Sequence, residues 1–201
     1  MNEDAARKEL QRICSKLYDR SLTVSAGGNM SIRVDDGILI TPSGRNKGML
    51  CPSEMVKVTM DGKPAGNGKP SIETGMHLAL YRKNNGVNAI VHCHPLYCTA
   101  LAVKGEKVKS ALTPEGILLL GDVPMVRYIT PGSSELADAV SECSDSAAIL
   151  LERHGAVTQG RTLEEAYNRM EELEFQAHLQ IIAGGADCLP ADEIEKIRCM
   201  K

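Results

Sequence analysis

The chain has 201 residues, enough for one large domain or two small ones with a substantial core. Its formal charge is −3, from 23 basic and 26 acidic residues with no basic block, which argues against nucleic acid or an anionic membrane as partner. No apolar run approaches the roughly 18 residues of a membrane span, and the acidic start Met1-Asn2-Glu3-Asp4 is unlike a signal peptide. The seven cysteines contain no Cys-x-x-Cys pair, so we expect reduced thiols in a soluble, cytoplasmic protein.

The N-terminal half predicts a helix, three short strands and a second helix. Apolar residues at helical spacing predict the first helix over residues 3–20. Asp35-Asp36 is a hairpin signal between the first two strands. The second helix is predicted to run from Ser71, its N-cap, to about Lys83, with Ile72 in the buried stripe. The strands are predicted over residues 29–34, 37–41 and 55–60.

The C-terminal half continues the mixture of strands and helices. Thr162-Leu163-Glu164-Glu165 is a capping box that predicts the start of a helix of about twenty residues, and a short polar helix is predicted after Pro190. Other helices are predicted over residues 95–103 and 135–143. Strands are predicted over residues 87–93, 116–120, 123–126, 147–151 and 156–159.

Because helices and strands intermix and no linker or repeat divides the chain, we predict a single α/β domain over residues 1–201. Hairpin signals among the strands favour a mixed, largely antiparallel central sheet with helices packed against it. No Gly-x-Gly-x-x-Gly motif stands between a strand and a helix, so the glycine-rich loops do not indicate a dinucleotide fold.

The most informative stretch is Ile90-Val91-His92-Cys93-His94-Pro95. On a strand, alternate side chains leave the same face, so His92 and His94 point one way and Cys93 the other, with the histidine Cα atoms roughly 6.6–7 Å apart. Two imidazoles at that spacing can bind one metal ion. They can equally form an ordinary hydrogen-bonded pair, so the pair alone leaves both interpretations open.

Further ligands are sought among the remaining histidines and one carboxylate. His154 lies in a polar turn after an aliphatic strand, where functional side chains are often displayed. Glu73 lies in the first turn of the second helix, either as a ligand or as a carboxylate that stabilises the helix. His77 and His178 lie inside helices and favour surface or core roles. Three histidines and a carboxylate suit Zn²⁺, with Mn²⁺, Co²⁺ or Fe²⁺ as weaker alternatives.

With these residues in hand, the chain resembles the class II aldolase/adducin family, above all its L-fuculose-1-phosphate aldolase-like members. The resemblance covers nearly the whole chain and rests on five motifs in the family's order. They are Ser25-Ala26-Gly27-Gly28-Asn29, Thr41-Pro42-Ser43-Gly44, Ser71-Ile72-Glu73, His92-Cys93-His94 and Arg153-His154-Gly155.

The resemblance implies a three-layer α/β/α domain and a zinc site made by His92, His94 and His154, with Glu73 as ligand and catalytic base. It implies a homotetramer with the active site at a subunit interface, acting on a small sugar phosphate. Cleavage of a ketose 1-phosphate would give dihydroxyacetone phosphate and an aldehyde. The implied phosphate pocket is lined by Gly28, Asn29, Ser43, Gly44 and Ser71.

The sequence departs from the fuculose-phosphate aldolase pattern in four places. Ala26 and Ile72 replace two hydroxyl residues of the phosphate pocket, and Thr113 stands where that aldolase has a catalytic tyrosine. Glu115 is the nearest ionisable replacement and is our second catalytic candidate, with an exposed loop carboxylate as the alternative. The tail after Pro190 contains no tyrosine. These departures concern the aldehyde specificity.

Five other functions fit part of this pattern. A pentulose-phosphate 4-epimerase of this family usually carries Asp where Glu73 stands, so the glutamate counts against it. A sugar-phosphate decarboxylase or dehydratase would also use the three histidines. An adducin-like structural domain would lack the ligands. A metal-buffering or metal-sensing protein would leave the three anion-friendly loops unexplained.

Overall fold

A seven-stranded sheet crosses the structure, a computed structural model that describes residues 2–200. Its strands are β1 (Asn29–Val34), β2 (Gly37–Ile40), β3 (Val56–Thr59), β4 (Ala89–Cys93), β5 (Met125–Val126), β6 (Ala148–Leu151) and β7 (Gly155–Gly160). The strand order is β3-β2-β1-β4-β7-β6-β5. Within the described residues β5 and β6 are parallel and every other neighbouring pair is antiparallel, which confirms the predicted mixed sheet.

Helices cover both faces of the sheet. They are α1 (Glu3–Asp19), α2 (Thr74–Lys83), α3 (Leu96–Lys104), α4 (Pro114–Leu119), α5 (Ser134–Ser141), α6 (Leu163–Ala183) and α7 (Ala191–Arg198). One apolar core lies between the sheet and helices α1, α3 and α6. A second core lies between the opposite face and helices α2 and α5. The fold is therefore the three-layer α/β/α arrangement, and none of the helices within residues 2–200 is long and apolar enough to cross a membrane.

Local signals explain most of the element boundaries. The hairpin turn joins β1 and β2 as predicted, with Val34 paired to Gly37. The Thr162 hydroxyl accepts a hydrogen bond from the Glu165 N–H and caps α6, as the capping box indicated.

The strand predicted over residues 116–120 is wrong, because this segment lies in helix α4. Pro114 occupies the first helical turn, where its fixed φ suits a helix and its missing N–H costs no hydrogen bond. A short apolar run such as Gly116–Leu120 fits either a buried strand or a helix, so periodicity could not decide between them.

The predicted start of α2 is also wrong. The helix begins at Thr74 rather than Ser71, and Ile72 is 64% exposed rather than buried. The Ser71 carbonyl accepts hydrogen bonds from the N–H and hydroxyl of Thr74, so the chain makes a tight turn first. Glu73 consequently occupies the N-cap position, at the junction between this turn and the helix.

Candidate metal centre

Three histidines meet where the three central strands of the sheet come together. His92 lies on β4, His94 follows that strand, and His154 immediately precedes β7. The His92 ring centroid is 4.9 Å from that of His94 and 4.8 Å from that of His154. The Nε2 atoms of His92 and His94 are 3.2 Å apart. The three residues form a group with the donors and spacing to hold a metal ion.

The Glu73 carboxylate faces these rings from the α2 side. Its Oε2 atom lies 3.1 Å from Nε2 of His92, and its Oε1 atom lies 3.5 Å from Nε2 of His154. The Asn29 amide donates a hydrogen bond to Oε2 at 2.8 Å. Oε1 is buried and has no hydrogen-bond partner within residues 2–200. The four predicted ligands are thus brought together.

The donor geometry fits a divalent cation. A tetrahedral zinc site with bonds of about 2.0–2.1 Å places neighbouring ligand atoms about 3.3–3.4 Å apart. Three of the six spacings among these four residues are 3.2, 3.1 and 3.5 Å, and the three histidine ligand atoms all lie within 4.8 Å of one another. His92 donates from Nδ1 to the Ala156 carbonyl oxygen at 2.9 Å, which leaves the lone pair on Nε2 directed at the cluster. A cation there would also contact the orphaned Oε1 of Glu73.

The electrostatics of the cluster favour the ligand forms of these groups. Burial, and then the positive charge of the neighbouring histidines, lowers the pKa of His94 to about 3 despite the opposing effect of Glu73. Burial and His92 likewise lower the pKa of His154 to about 4. Burial alone would raise the pKa of Glu73, but the facing His92 and His154 rings and the Asn29 hydrogen bond hold it well below its usual range. Neutral imidazoles and an ionised carboxylate are what metal binding requires.

The turn that carries His154 is tightly constrained. Arg153 adopts a left-handed φ of 55°, and its N–H donates to the Ala102 carbonyl oxygen at 3.1 Å. At Gly155 a Cβ atom would lie 2.4 Å from the Cys93 carbonyl oxygen and 2.6 Å from Cδ2 of His94. Glycine therefore lets the turn approach β4 closely enough to bring His154 beside His94.

A cavity of about 240 Å³ opens beside Glu73, His94 and His154. Gly28 and Gly44 both line this cavity and both adopt a left-handed φ of 69°, but Gly44 is exposed whereas Gly28 is buried against β4. The lining includes every residue predicted for the phosphate pocket, namely Gly28, Asn29, Ser43, Gly44 and Ser71. The predicted metal and phosphate residues thus belong to one site.

Sequence reasoning did not single out Lys47, which also lines this cavity. Its side chain is 2% exposed, and Nζ donates to the carbonyl oxygens of Ala26 at 2.9 Å and Arg45 at 2.8 Å. Burial lowers the pKa of this lysine. Its amine therefore links the loop before β1 to the loop after β2. The only sequence feature that could have indicated this contact is that Lys47 lies close to Ser43 in the chain.

The second predicted catalytic residue lies elsewhere. Glu115 is exposed in the first turn of α4 and is not among the residues that line the cavity. Nearby, the Thr113 hydroxyl accepts a hydrogen bond from the Gln176 amide at 2.7 Å. Within one chain, Glu115 is not brought together with the histidines, and its catalytic role stays a prediction.

Comparison with known proteins identifies the family. Residues 8–181 match the family model described as the class II aldolase and adducin N-terminal domain. An L-fuculose phosphate aldolase of Methanococcus vannielii is 42% identical, covering 90% of this chain and 98% of the relative. A 3-oxo-tetronate 4-phosphate decarboxylase of Escherichia coli is 39% identical, covering 98% and 96%.

Solved structures give the same result. YgbL of Escherichia coli, whose description names aldolase, epimerase and decarboxylase as candidate activities, superposes with a TM-score of 0.93 at 38% identity, covering 98% of this chain and 99% of that one. An L-fuculose 1-phosphate aldolase superposes with a TM-score of 0.90 at 31% identity, covering 98% and 95%. The fold, the site and these relatives together establish that the chain belongs to the class II aldolase and adducin family.

Proposed function

We propose that the protein is a metal-dependent lyase that cleaves a carbon–carbon bond in a phosphorylated sugar, with reversible cleavage of a ketose 1-phosphate to dihydroxyacetone phosphate and an aldehyde as the first candidate reaction. The observation that carries the proposal is the convergence of three histidine nitrogens and the Glu73 carboxylate beside a small cavity. The motifs that line this cavity support the same reading.

His92, His94, His154 and Glu73 would hold the cation, and nitrogen-rich ligation favours Zn²⁺ over Mn²⁺, Co²⁺ or Fe²⁺. When bound, the cation would supply a Lewis acid that polarises the substrate carbonyl and balances the negative charge developing next to it. Burial lowers the pKa of His94 and His154, so these two imidazoles stay neutral and no proton competes with a cation for their lone pairs.

Glu73 is the proposed base. Its Oε1 atom is buried without a hydrogen-bond partner within residues 2–200, so that oxygen can take or return a proton when substrate displaces Glu73 from the cation. Oε2 is held by Asn29, which keeps the carboxylate oriented during the exchange. Breaking the carbon–carbon bond leaves an electron pair on one substrate carbon. Glu73 would deliver a proton to that carbon, and would remove it again in the reverse reaction.

The cavity wall is suited to a phosphate group. Gly28 and Gly44 both line it, and at the exposed Gly44 no neighbouring atom lies near the Cβ position, so its backbone can approach an anion. The Ser43 and Ser71 hydroxyls can donate to the same anion. The buried Lys47 amine adds positive charge at the same wall. These contacts would hold the phosphate while the other end of the substrate reaches the histidines.

A 3-oxo-acid phosphate decarboxylase is the second candidate, and one observation favours it. Aldol cleavage requires a group that removes the proton from the hydroxyl that becomes the aldehyde, whereas decarboxylation releases CO₂ with no such proton to move. Thr113, at the position of the family's tyrosine, cannot serve as that group, and its hydroxyl is already bonded to Gln176. The 39% identical decarboxylase relative points the same way.

The other functions have less support. Glu73 in place of Asp counts against a 4-epimerase, and the presence of all four ligands counts against an adducin-like structural domain. Metal buffering needs no phosphate-sized cavity beside the cluster. A dehydratase would use the same ligands, and no residue here favours it.

A product assay separates the two main candidates. The purified protein is analysed for metal, then incubated with L-fuculose 1-phosphate and, separately, with a 3-oxo-tetronate 4-phosphate. Dihydroxyacetone phosphate from the first substrate supports the aldolase, and CO₂ from the second supports the decarboxylase. Stoichiometric zinc with no product from the 3-oxo acid phosphate or from any of a panel of ketose 1-phosphates would contradict the lyase proposal.

We also propose, from the resemblance, a cytoplasmic homotetramer whose active site lies at a subunit interface. In that assembly Glu115, which is exposed on α4, could reach the cavity of a neighbouring copy. Light scattering would measure the mass, and a monomer that is fully active would contradict this arrangement.

A further inference from the structure

A buried chain of hydrogen bonds leads from the candidate metal centre into the layer between the sheet and α2. Asn29 donates from Nδ2 to Glu73, and its Oδ1 lies 2.6 Å from Nε2 of His77. Nδ1 of His77 lies 2.6 Å from the Ser31 hydroxyl, which lies 2.8 Å from the Tyr81 hydroxyl. Each of the five side chains is at most 6% exposed.

The secondary structure explains why these side chains meet. Residues 29 and 31 alternate on β1 and so leave the same face of the sheet, towards α2. His77 and Tyr81 are four residues apart on α2 and therefore occupy the same helix face. Glu73 stands one further turn back, at the N-cap.

The donor and acceptor chemistry permits one arrangement of protons when Glu73 is ionised. A carboxylate only accepts, so Asn29 must present its NH₂ group to Glu73 and its oxygen to His77. That oxygen needs a donor, so Nε2 of His77 must carry the proton. Burial, with a further contribution from His92, lowers the pKa of His77 to about 3, so the ring is neutral and Nδ1 has no proton.

The same logic orders the far end of the chain. The Ser31 hydroxyl donates to the bare Nδ1 of His77 and accepts from the Tyr81 hydroxyl. Every hydrogen in the series then points towards Glu73. Hydrogen bonds aligned in this way polarise one another and strengthen the last contact, which is the one to the carboxylate.

We propose that His77 is a positioning residue: as its Nε2–H tautomer it fixes the Asn29 amide, which in turn holds Oε2 of Glu73 and directs Oε1 into the site. The effect on turnover rests on the proposed function. The tautomer does not, because it depends only on the geometry of this chain, and the effect on metal affinity requires the metal centre but not the proposed reaction.

Two matched variants separate positioning from simple core filling. Gln carries its amide nitrogen as many bonds from Cβ as Nε2 of histidine, and Asn carries its amide nitrogen as many bonds from Cβ as Nδ1. His77→Gln therefore retains a donor to Asn29, whereas His77→Asn retains only the polar contact near Ser31. A residue that merely fills the core would be sensitive to lost volume and indifferent to which nitrogen position is kept.

The first experiment is ¹⁵N NMR of the histidine-labelled full-length protein, which reports the protonated ring nitrogen without substrate. We expect the proton of His77 on Nε2, and a proton on Nδ1 would overturn the proposal. The second experiment measures zinc affinity. We expect it to fall about tenfold in His77→Asn, in the range typical of residues that orient metal ligands. In His77→Gln we expect it to stay near the wild-type value.

Turnover is the third measurement. We expect His77→Asn to lower kcat by about 10- to 100-fold with a smaller change in KM, and His77→Gln to restore most of it. Equal losses in both variants would overturn the positioning role. If no tested sugar phosphate is cleaved but the tautomer and the zinc affinities are as expected, the proposed reaction fails while the role of His77 stands.

Discussion

Replacing Glu73 with glutamine tests the centre of the proposed mechanism, because it removes one negative charge and one base while preserving shape. An amide NH₂ at the Oε2 position would face the NH₂ group of Asn29, donor against donor. The glutamine must therefore place its oxygen there and direct its NH₂ group at His154, whose Nε2 lies 3.5 Å from Oε1. The variant keeps one contact and loses the free carboxylate oxygen.

The expected loss follows from these contacts. A hydrogen bond to a charged group contributes about 1.5–3 kcal/mol and a neutral one about 1, so weakening of the Asn29 contact costs roughly 1 kcal/mol. Removal of a general base lowers the rate by about 10²- to 10⁴-fold, or roughly 3–5.5 kcal/mol of barrier. The three histidines remain, so we expect zinc to stay bound at stoichiometric loading.

The assay compares kcat and metal content for Glu73→Gln and Glu142→Gln. Glu142 is an exposed residue after α5 that pairs with Lys83, so its variant carries the same chemical change away from the site. We expect wild-type turnover in the control and a loss of at least about 10²-fold in Glu73→Gln. Full turnover in Glu73→Gln with zinc bound would refute the assignment of Glu73 as base.

Four further predictions follow from the geometry. Gly28 and Gly44 share a φ of 69°, but only at Gly28 would an added Cβ meet the His92 carbonyl oxygen, at 2.5 Å. In urea unfolding, Gly44→Ala should therefore lower the free energy of unfolding by about 1–2 kcal/mol and Gly28→Ala by clearly more. Equal losses in the two variants would contradict this. The pKa of His77 is lowered to about 3 by burial, so between pH 6.5 and about 3 the unfolded chain binds a proton that the folded chain excludes. Stability should therefore fall as pH falls through that window, by up to about 1.4 kcal/mol per pH unit for this group, and a His77→Gln variant should lose part of that dependence. Chelation should lower the melting temperature, since a ligand at 100 times its Kd stabilises the fold by about 2.7 kcal/mol; an unchanged melting temperature after verified metal loss would count against the centre. Glu115→Gln should lower kcat in the oligomer without changing metal content, and unchanged kinetics would leave Glu115 as a surface carboxylate.

Local sequence signals predicted elements whose determinants lie close together in the chain. The hairpin between β1 and β2 and the Thr162 cap of α6 each depend on a few adjacent residues, and both are confirmed. The predicted start of α2 was wrong because the apolar pattern assigned Ile72 to a buried stripe, whereas the chain turns at Ser71 and leaves Ile72 exposed. The residues around Ser71 are compatible with either a helix or a turn at this point.

In the candidate site, too, relations between neighbouring residues were predicted and relations between distant residues were not. Strand alternation predicted that His92 and His94 lie on one face of the sheet and Cys93 on the other. In the structure the two histidine rings are in contact and Cys93 lies in the core on the opposite face. His77 was interpreted as a surface or core histidine because its partners, Asn29 and Ser31, belong to a strand more than forty residues earlier. Contacts across such separations depend on tertiary packing, which periodicity does not encode.

The distribution of the ligands along the chain has a consequence for how the protein acquires its metal. An unfolded chain offers only His92 and His94 as near neighbours, because His154 reaches them only after β4 pairs with β7 and Glu73 only after α2 packs on the sheet. The sheet must therefore form before the four proposed ligands meet, so we expect an ion to be captured at the end of folding. A captured ion would link strands whose separation requires opening the middle of the sheet, so we expect its release to be governed by unfolding rather than by simple dissociation.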